Sequence, residues 1–149
     1  MTEAILKLYE KKDYLEAVKI CEDKLNNQNI ENLYNIAAVY GKVLFKLKKF
    51  EQAETIYQRL FQYANLNELI SETENEIEFK NMPLENIFFI LHKIIYFCTQ
   101  NRRVESESFY AYIRNILLDK NYRRNNDKEE LAIIFWKYFE VSHYIKSYE

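Results

Sequence analysis

Apolar residues recur along this chain with a helical period almost from end to end. Between positions 66 and 79, Leu66, Leu69, Ile70, Thr73 and Ile77 fall at i, i+3, i+4, i+7 and i+11, one stripe of an α-helix. Glu68, Glu72, Glu74, Glu76 and Glu78 occupy the opposite face. Residues 84–100 are apolar on nearly every side (Ile87, Phe88, Phe89, Ile90, Leu91, Ile94, Ile95, Phe97), which predicts the most buried helix of the fold. In 127–148, Leu131, Ile134, Phe135, Tyr138 and Ile145 make one stripe, while Trp136, Phe139 and Tyr144 lie off it. The polar breaks between these stretches are short. Met82-Pro83 restarts the chain, because proline is tolerated in a first helical turn and poorly in a helix interior. Asn101-Arg102-Arg103 makes a turn before a helix at 104–118, and 121–126 reads as a polar loop. Asp127 followed by Glu130 has the spacing of a capping box that opens the last helix. The first half divides into helices at 2–11, 14–26, 31–48 and 50–63, with the polar run 26–29 after the second. The pattern predicts an all-α fold of about seven helices.

Two stretches of that first half match each other 36 residues apart. Tyr9, Tyr14 and Ala17 align with Phe45, Phe50 and Ala53, and the register extends to Leu8 with Leu44, Ile20 with Ile56 and Leu25 with Phe61. Self-similarity at such a period marks stacked units, each unable to bury its apolar face alone. The unit is a helical hairpin. An aromatic ends one helix, charged residues turn the chain, a second aromatic opens the next helix, and a small alanine lets the two backbones approach.

The repeat resembles the tetratricopeptide family, whose pattern runs W-x2-L-G-x2-Y, A-x3-F and a closing P. The second copy offers Ala37 at the Trp position, Tyr40-Gly41 for Leu-Gly, Leu44 for Tyr and Ala53-x3-Tyr57 for Ala-x3-Phe. The first copy offers Ala4-Ile5, Leu8 and Ala17-x3-Cys21. The missing proline and the degenerate Trp mark it as divergent, and the resemblance covers residues 2–63. It implies antiparallel hairpins stacked as a short right-handed α-solenoid or bundle. Residues 84–119 read as a degenerate third hairpin, with Val104 in the role of Phe50 but Glu107 where the small residue should stand. Residues 127–148 then form a capping helix, the whole of 1–149 making a single domain. The resemblance further implies a concave groove lined by the first helix of each hairpin. Carried over by position, its residues are Leu6, Tyr9, Glu10, Asn35, Ala38, Lys42, Phe45 and Lys46.

Composition reinforces the helical reading. One glycine and one proline in 149 residues leave no material for β-hairpin turns or phosphate-cradling loops. Cys21 and Cys98 are isolated thiols, which fits a reducing cytosol and a cytoplasmic protein. The apolar run 87–98 is interrupted by His92-Lys93 and is too short to span a bilayer, which needs about 20 residues.

The search for catalytic chemistry is nearly empty. His92 and His143 belong to no metal-ligand or nucleophile motif, and a spacing of six turns His92 well away from Cys98 on one helix. The glutamates of 72–78 read as a solvated face. No enzyme activity, cofactor or metal is expected. Arg102, Arg103, Arg114, Lys120, Arg123, Arg124 and Lys128, interleaved with Tyr110, Tyr112 and Tyr122, have the residue types that bind single-stranded nucleic acid. A net charge of −2 weighs against that partner and favours a polar stretch that solubilises its hairpin or pairs with the acidic helix.

The expected function is therefore non-catalytic: an interaction module that binds a peptide or partner protein through the groove or through an aromatic helix face. Adaptor, secretion chaperone, toxin-immunity protein and peptide-sensing regulator are all members of that class. A nucleic-acid-binding or peptide-sensing regulatory protein using the basic and tyrosine-rich region 102–128 is the alternative. The leftover aromatics Trp136, Phe139 and Tyr144 are the expected interface, covered by the partner or by an identical subunit in a homodimer.

Overall fold

The computed structural model describes residues 2–26, 33–78 and 81–147, and every regular element among them is helical. One compact unit, Met1–Ala64, holds α1 (Thr2–Glu10), α2 (Tyr14–Asn26), α3 (Tyr34–Lys46) and α4 (Phe50–Leu60), which ends in a 3-10 turn at Phe61–Tyr63. A second, Asn65–Glu149, holds α5 (Leu66–Glu76), α6 (Leu84–Thr99), α7 (Arg103–Leu117), α8 (Lys120–Arg124) and α9 (Lys128–Ser147). Positions 27–29 of the polar run, the expected helix start at Glu31, Phe79 and Tyr148 lie outside the described residues.

The helix that the sequence pattern does not announce is α8, inside the stretch expected to be a loop. Asp119 nucleates it, its carboxylate accepting the Asn121 N–H at 2.9 Å. Two longer helices start in the same way. Asn65 accepts the Glu68 N–H at 3.1 Å to open α5, and Asp127 accepts the Glu130 N–H at 2.9 Å to open α9, as its spacing predicts.

Three helix pairs are joined by one and the same turn. Lys12 between α1 and α2, Lys48 between α3 and α4, and Asn101 between α6 and α7 take φ of 63°, 64° and 59°. In each, the following N–H reaches back five residues at 2.9 Å: Asp13 to Leu8, Lys49 to Leu44 and Arg102 to Phe97. This is the Schellman end of a helix. The residue after the left-handed one already begins the next helix, since Ala17, Ala53 and Ser106 donate to the carbonyls of Asp13, Lys49 and Arg102. Both helices of each hairpin are thereby fixed by a turn of three residues.

This geometry corrects the reading of the third hairpin by one residue. Helix α7 begins at Arg103, Val104 is exposed, and the small position belongs to Ser106 in place of Glu107. Ser106 is 1% exposed, like the fully buried Ala17 and Ala53, and its hydroxyl donates to the Arg102 carbonyl at 2.7 Å. All three hairpins thus place a small, buried residue four positions after the turn.

Within the first unit, Ile5, Cys21 and Ile36 bring α1, α2 and α3 onto one core, joined by Ile20, Leu25, Leu33, Val39 and Tyr40. Gly41 admits the Tyr57 ring of α4: a Cβ built there would lie 2.2 Å from Cε1. In the second unit α6 is the central helix, with α7 and α9 packed against it. It is buried on nearly all sides, and the buried set includes Glu85, His92 and Lys93 among the aromatics.

Candidate functional site

The groove residues expected on the first unit sit on α1 and α3, which pack against each other. Leu6, Glu10 and Asn35 are exposed; Tyr9, Ala38, Lys42 and Lys46 are half-buried. Asn35, Ala38, Lys42 and Lys46 follow helical spacing along one face of α3. Phe45 does not belong with them. It is fully buried and meets Phe50 edge-on at 5.1 Å, so it clamps the turn and offers no surface to a ligand. Tyr9 and Tyr14 make the matching contact one hairpin earlier, at 6.1 Å.

Helix α9 carries the most exposed large aromatics among the described residues. Glu130, Leu131, Ile134, Lys137 and Val141 are buried on one side, and Tyr138 stacks on Tyr110 of α7 at 4.8 Å. The other side presents Trp136 at 75% exposure and Phe139 at 59%. Tyr144 is half-buried and sits apart from those two.

Part of the basic stretch is engaged within its own unit. Arg102 bonds Asn67 at 2.9 Å and Glu105 at 3.2 Å, Arg103 bonds Glu107 at 3.0 Å, and Arg123 holds the Leu117 carbonyl at 2.7 Å. Tyr122 donates to the Met82 carbonyl. Arg114, Lys120, Arg124 and Lys128 stay exposed. The acidic face of α5 pairs elsewhere. Lys93 of α6 is fully buried, bonded to Glu72, to Glu76 at 2.7 Å and to the Thr73 hydroxyl at 3.3 Å, and lies 4.4 Å over the Phe89 ring. The expectation of a purely solvated glutamate face is thus corrected: two of its members neutralise a core lysine. No signal in the local pattern marks Lys93, which looks like a polar interruption of an apolar run.

An open cavity of about 590 Å3 lies where the start of α6 meets the ends of α7 and α8. Asn81, Tyr112, Asn115, Asn121, Tyr122 and Asn125 contribute to its lining. These amides and phenols can exchange hydrogen bonds with a ligand, and Asp119 adds one carboxylate to the lining. The run of asparagines after 120 was the available hint, read from sequence as a loop.

His92 and Cys98 do not form a dyad. His92 is 4% exposed, its Nδ1–H donating to the Phe88 carbonyl at 2.8 Å while its ring meets the Phe88 ring at 4.5 Å. Cys21 and Cys98 are free, buried thiols. Burial pushes both thiols up, Cys21 to about 12 with help from the Glu22 carboxylate. Because the folded thiol stays protonated while the unfolded one ionises, Cys21 stabilises the fold fully below pH 9, and that contribution drains away as pH rises from 9 toward 12. Native protein at pH 8 is expected to alkylate at Cys21 with about a thousandth of an ordinary thiol's reactivity. Mass spectrometry after iodoacetamide treatment, with and without urea, checks this. Rapid native labelling would count against the buried placement.

Among the described residues no three His, Cys, Asp or Glu side chains gather as a metal site, and no helix is long and apolar enough to cross a membrane. Comparison with known proteins returned no matching family model, no similar curated protein and no similar solved structure. The class that the observations define is an all-α protein with repeated helical hairpins and an exposed aromatic helix face.

Proposed function

We propose that the protein is a non-catalytic interaction module of tetratricopeptide-like hairpins that binds a partner protein through the exposed face of α9. The observation that carries this reading is the exposure of Trp136 and Phe139, three residues apart on one helix. Leaving two such rings in water forgoes roughly 1.5–3 kcal/mol of burial each. Aromatics of this kind concentrate at the centres of protein interfaces. The repeated Schellman turn and its small residue support the tetratricopeptide-like reading of the hairpins. The α3 face with Asn35, Lys42 and Lys46 supplies the second surface, suited to carbonyls or carboxylates of a peptide. The free thiols fit a cytoplasmic setting.

The test uses three baits on a lysate of the source cells: wild type, Trp136→Ser with Phe139→Ser, and Lys42→Glu with Lys46→Glu. The α9 variant is expected to keep its melting temperature and to lose a protein that wild type retains, a second copy of the chain included. Loss from the lysine variant alone would move the partner to the first unit. If all three baits retain the same proteins, the module reading fails.

A further inference from the structure

The outward face of α9 has a pattern that names its own partner. Glu129, Ala132, Trp136, Phe139, His143 and Lys146 are all exposed and fall at i, i+3, i+7, i+10, i+14 and i+17. This is the a/d spacing of a coiled-coil seam, lying opposite the side on which Glu130, Leu131, Ile134, Lys137 and Val141 are buried. A helix that has already spent one apolar face on its own domain carries a second.

We infer that this seam pairs with the same seam of a second copy, running antiparallel across a twofold axis that passes between residues 137 and 138. The inference rests on the reading of α9 as an interaction face. In a twofold contact, residue i meets j and j meets i. About that axis Trp136 meets Phe139 of the partner subunit twice, filling the centre with four aromatic rings. Ala132 meets His143 of the partner subunit, a small residue against a ring, and Glu129 meets Lys146 of the partner subunit at both ends. The flanking positions agree. The half-buried Phe135 falls opposite Glu140 of the partner subunit, and Ile133 opposite Ser142 of the partner subunit, so no two like charges face each other anywhere along the seam.

A parallel pair would do the reverse, setting each Glu129, His143 and Lys146 against its own counterpart. Charge therefore selects both the partner and the direction. The seam from 129 to 146 is about 26 Å long. One helix face of that length buries less than a permanent dimer needs, so the pair forms and separates with concentration.

Trp136 is the only tryptophan of the chain, so the protein's tryptophan fluorescence reports on the centre of this seam alone. The experiment follows sedimentation mass and tryptophan emission of the purified full chain over a wide concentration range. The expected result is a doubling of mass, with a blue shift of emission over the same range. Lys146→Glu puts carboxylate against carboxylate at both ends and should weaken the dimer by about tenfold. Glu129→Lys should weaken it similarly by opposing two lysines. An equimolar mixture of these two variants should recover the dimer, because each end then carries one charge of each sign. A monomer at all concentrations, with emission unmoved, overturns the self-pairing. If that monomer, used as bait, still retains from the source lysate a protein that Trp136→Ser with Phe139→Ser loses, the interaction face itself stands with another occupant, and if the two baits retain the same proteins, both readings fall. A dimer untouched by Trp136→Ser and by both charge variants overturns the inference as well, because the contact then lies elsewhere.

Discussion

Gly41→Val is expected to destabilise the first unit by roughly 3 kcal/mol or more, at the upper end of what overpacking costs. The side chain at 41 has nowhere to go. An added Cβ would lie 2.2 Å from Cε1, 2.5 Å from Cζ and 2.8 Å from the hydroxyl oxygen of Tyr57. That ring is fully buried and stacks on Phe61 at 6.1 Å, so it has no route to solvent. The clash involves only the outer atoms of the ring, which leucine lacks. Tyr57→Leu alone should cost stability by opening a cavity. Combined with Gly41→Val it should cost distinctly less than the two separate losses. Urea unfolding of the two single variants and the double variant measures this coupling. Simple additivity would show that position 41 and the ring do not meet.

Removing both glutamates around Lys93 is the second large effect. Glu72→Ala with Glu76→Ala is expected to cost about 3–5 kcal/mol, because it strips the ion partners from a lysine with no exposed surface. The opposite substitution is milder. After Lys93→Met the carboxylates, 35% and 19% exposed, can turn to water while the new side chain fills the apolar space around Phe89. Thermal unfolding of the two proteins side by side decides the point. Equal losses would mean that the ion cluster acts as a symmetric pair and that burial of the lysine is not what makes it costly.

The helices were legible because their apolar positions repeat with the period of the helix, and Asp127 announced α9 through a cap that forms at 2.9 Å. The third hairpin was misread by one residue for a definite reason. Val104 was matched to Phe50 by its apolar character, whereas the register is set by the left-handed Asn101 and by Ser106 below it. Backbone conformation leaves little trace in hydropathy, and lysine and asparagine at the left-handed positions hide a turn that glycine would have revealed. Phe45 was placed in the groove by analogy of position, yet it faces inward onto Phe50. Lys93 was illegible because its partners stand seventeen and twenty-one residues away on another helix. Trp136 and Phe139 could be seen to lie off the main stripe. Their alignment with Glu129 and Lys146 emerges only once the buried side of α9 is known.

The three-residue turns also bear on the order of folding. A helix pair joined this tightly closes a loop of only a few residues, and the entropy lost on closure grows with loop length. The three hairpins are therefore expected to assemble early, from contacts local in sequence, in the manner of fast-folding helical proteins. The packing of α9 on α6 is different, since it closes across the whole of α7 and α8. It must wait for the α6–α7 hairpin to give it a surface. Trp136 and Phe139 are consequently expected among the last groups to reach their native positions, and stopped-flow refolding followed by Trp136 emission and by helical circular dichroism checks this: an emission change that precedes the gain of helix would count against it.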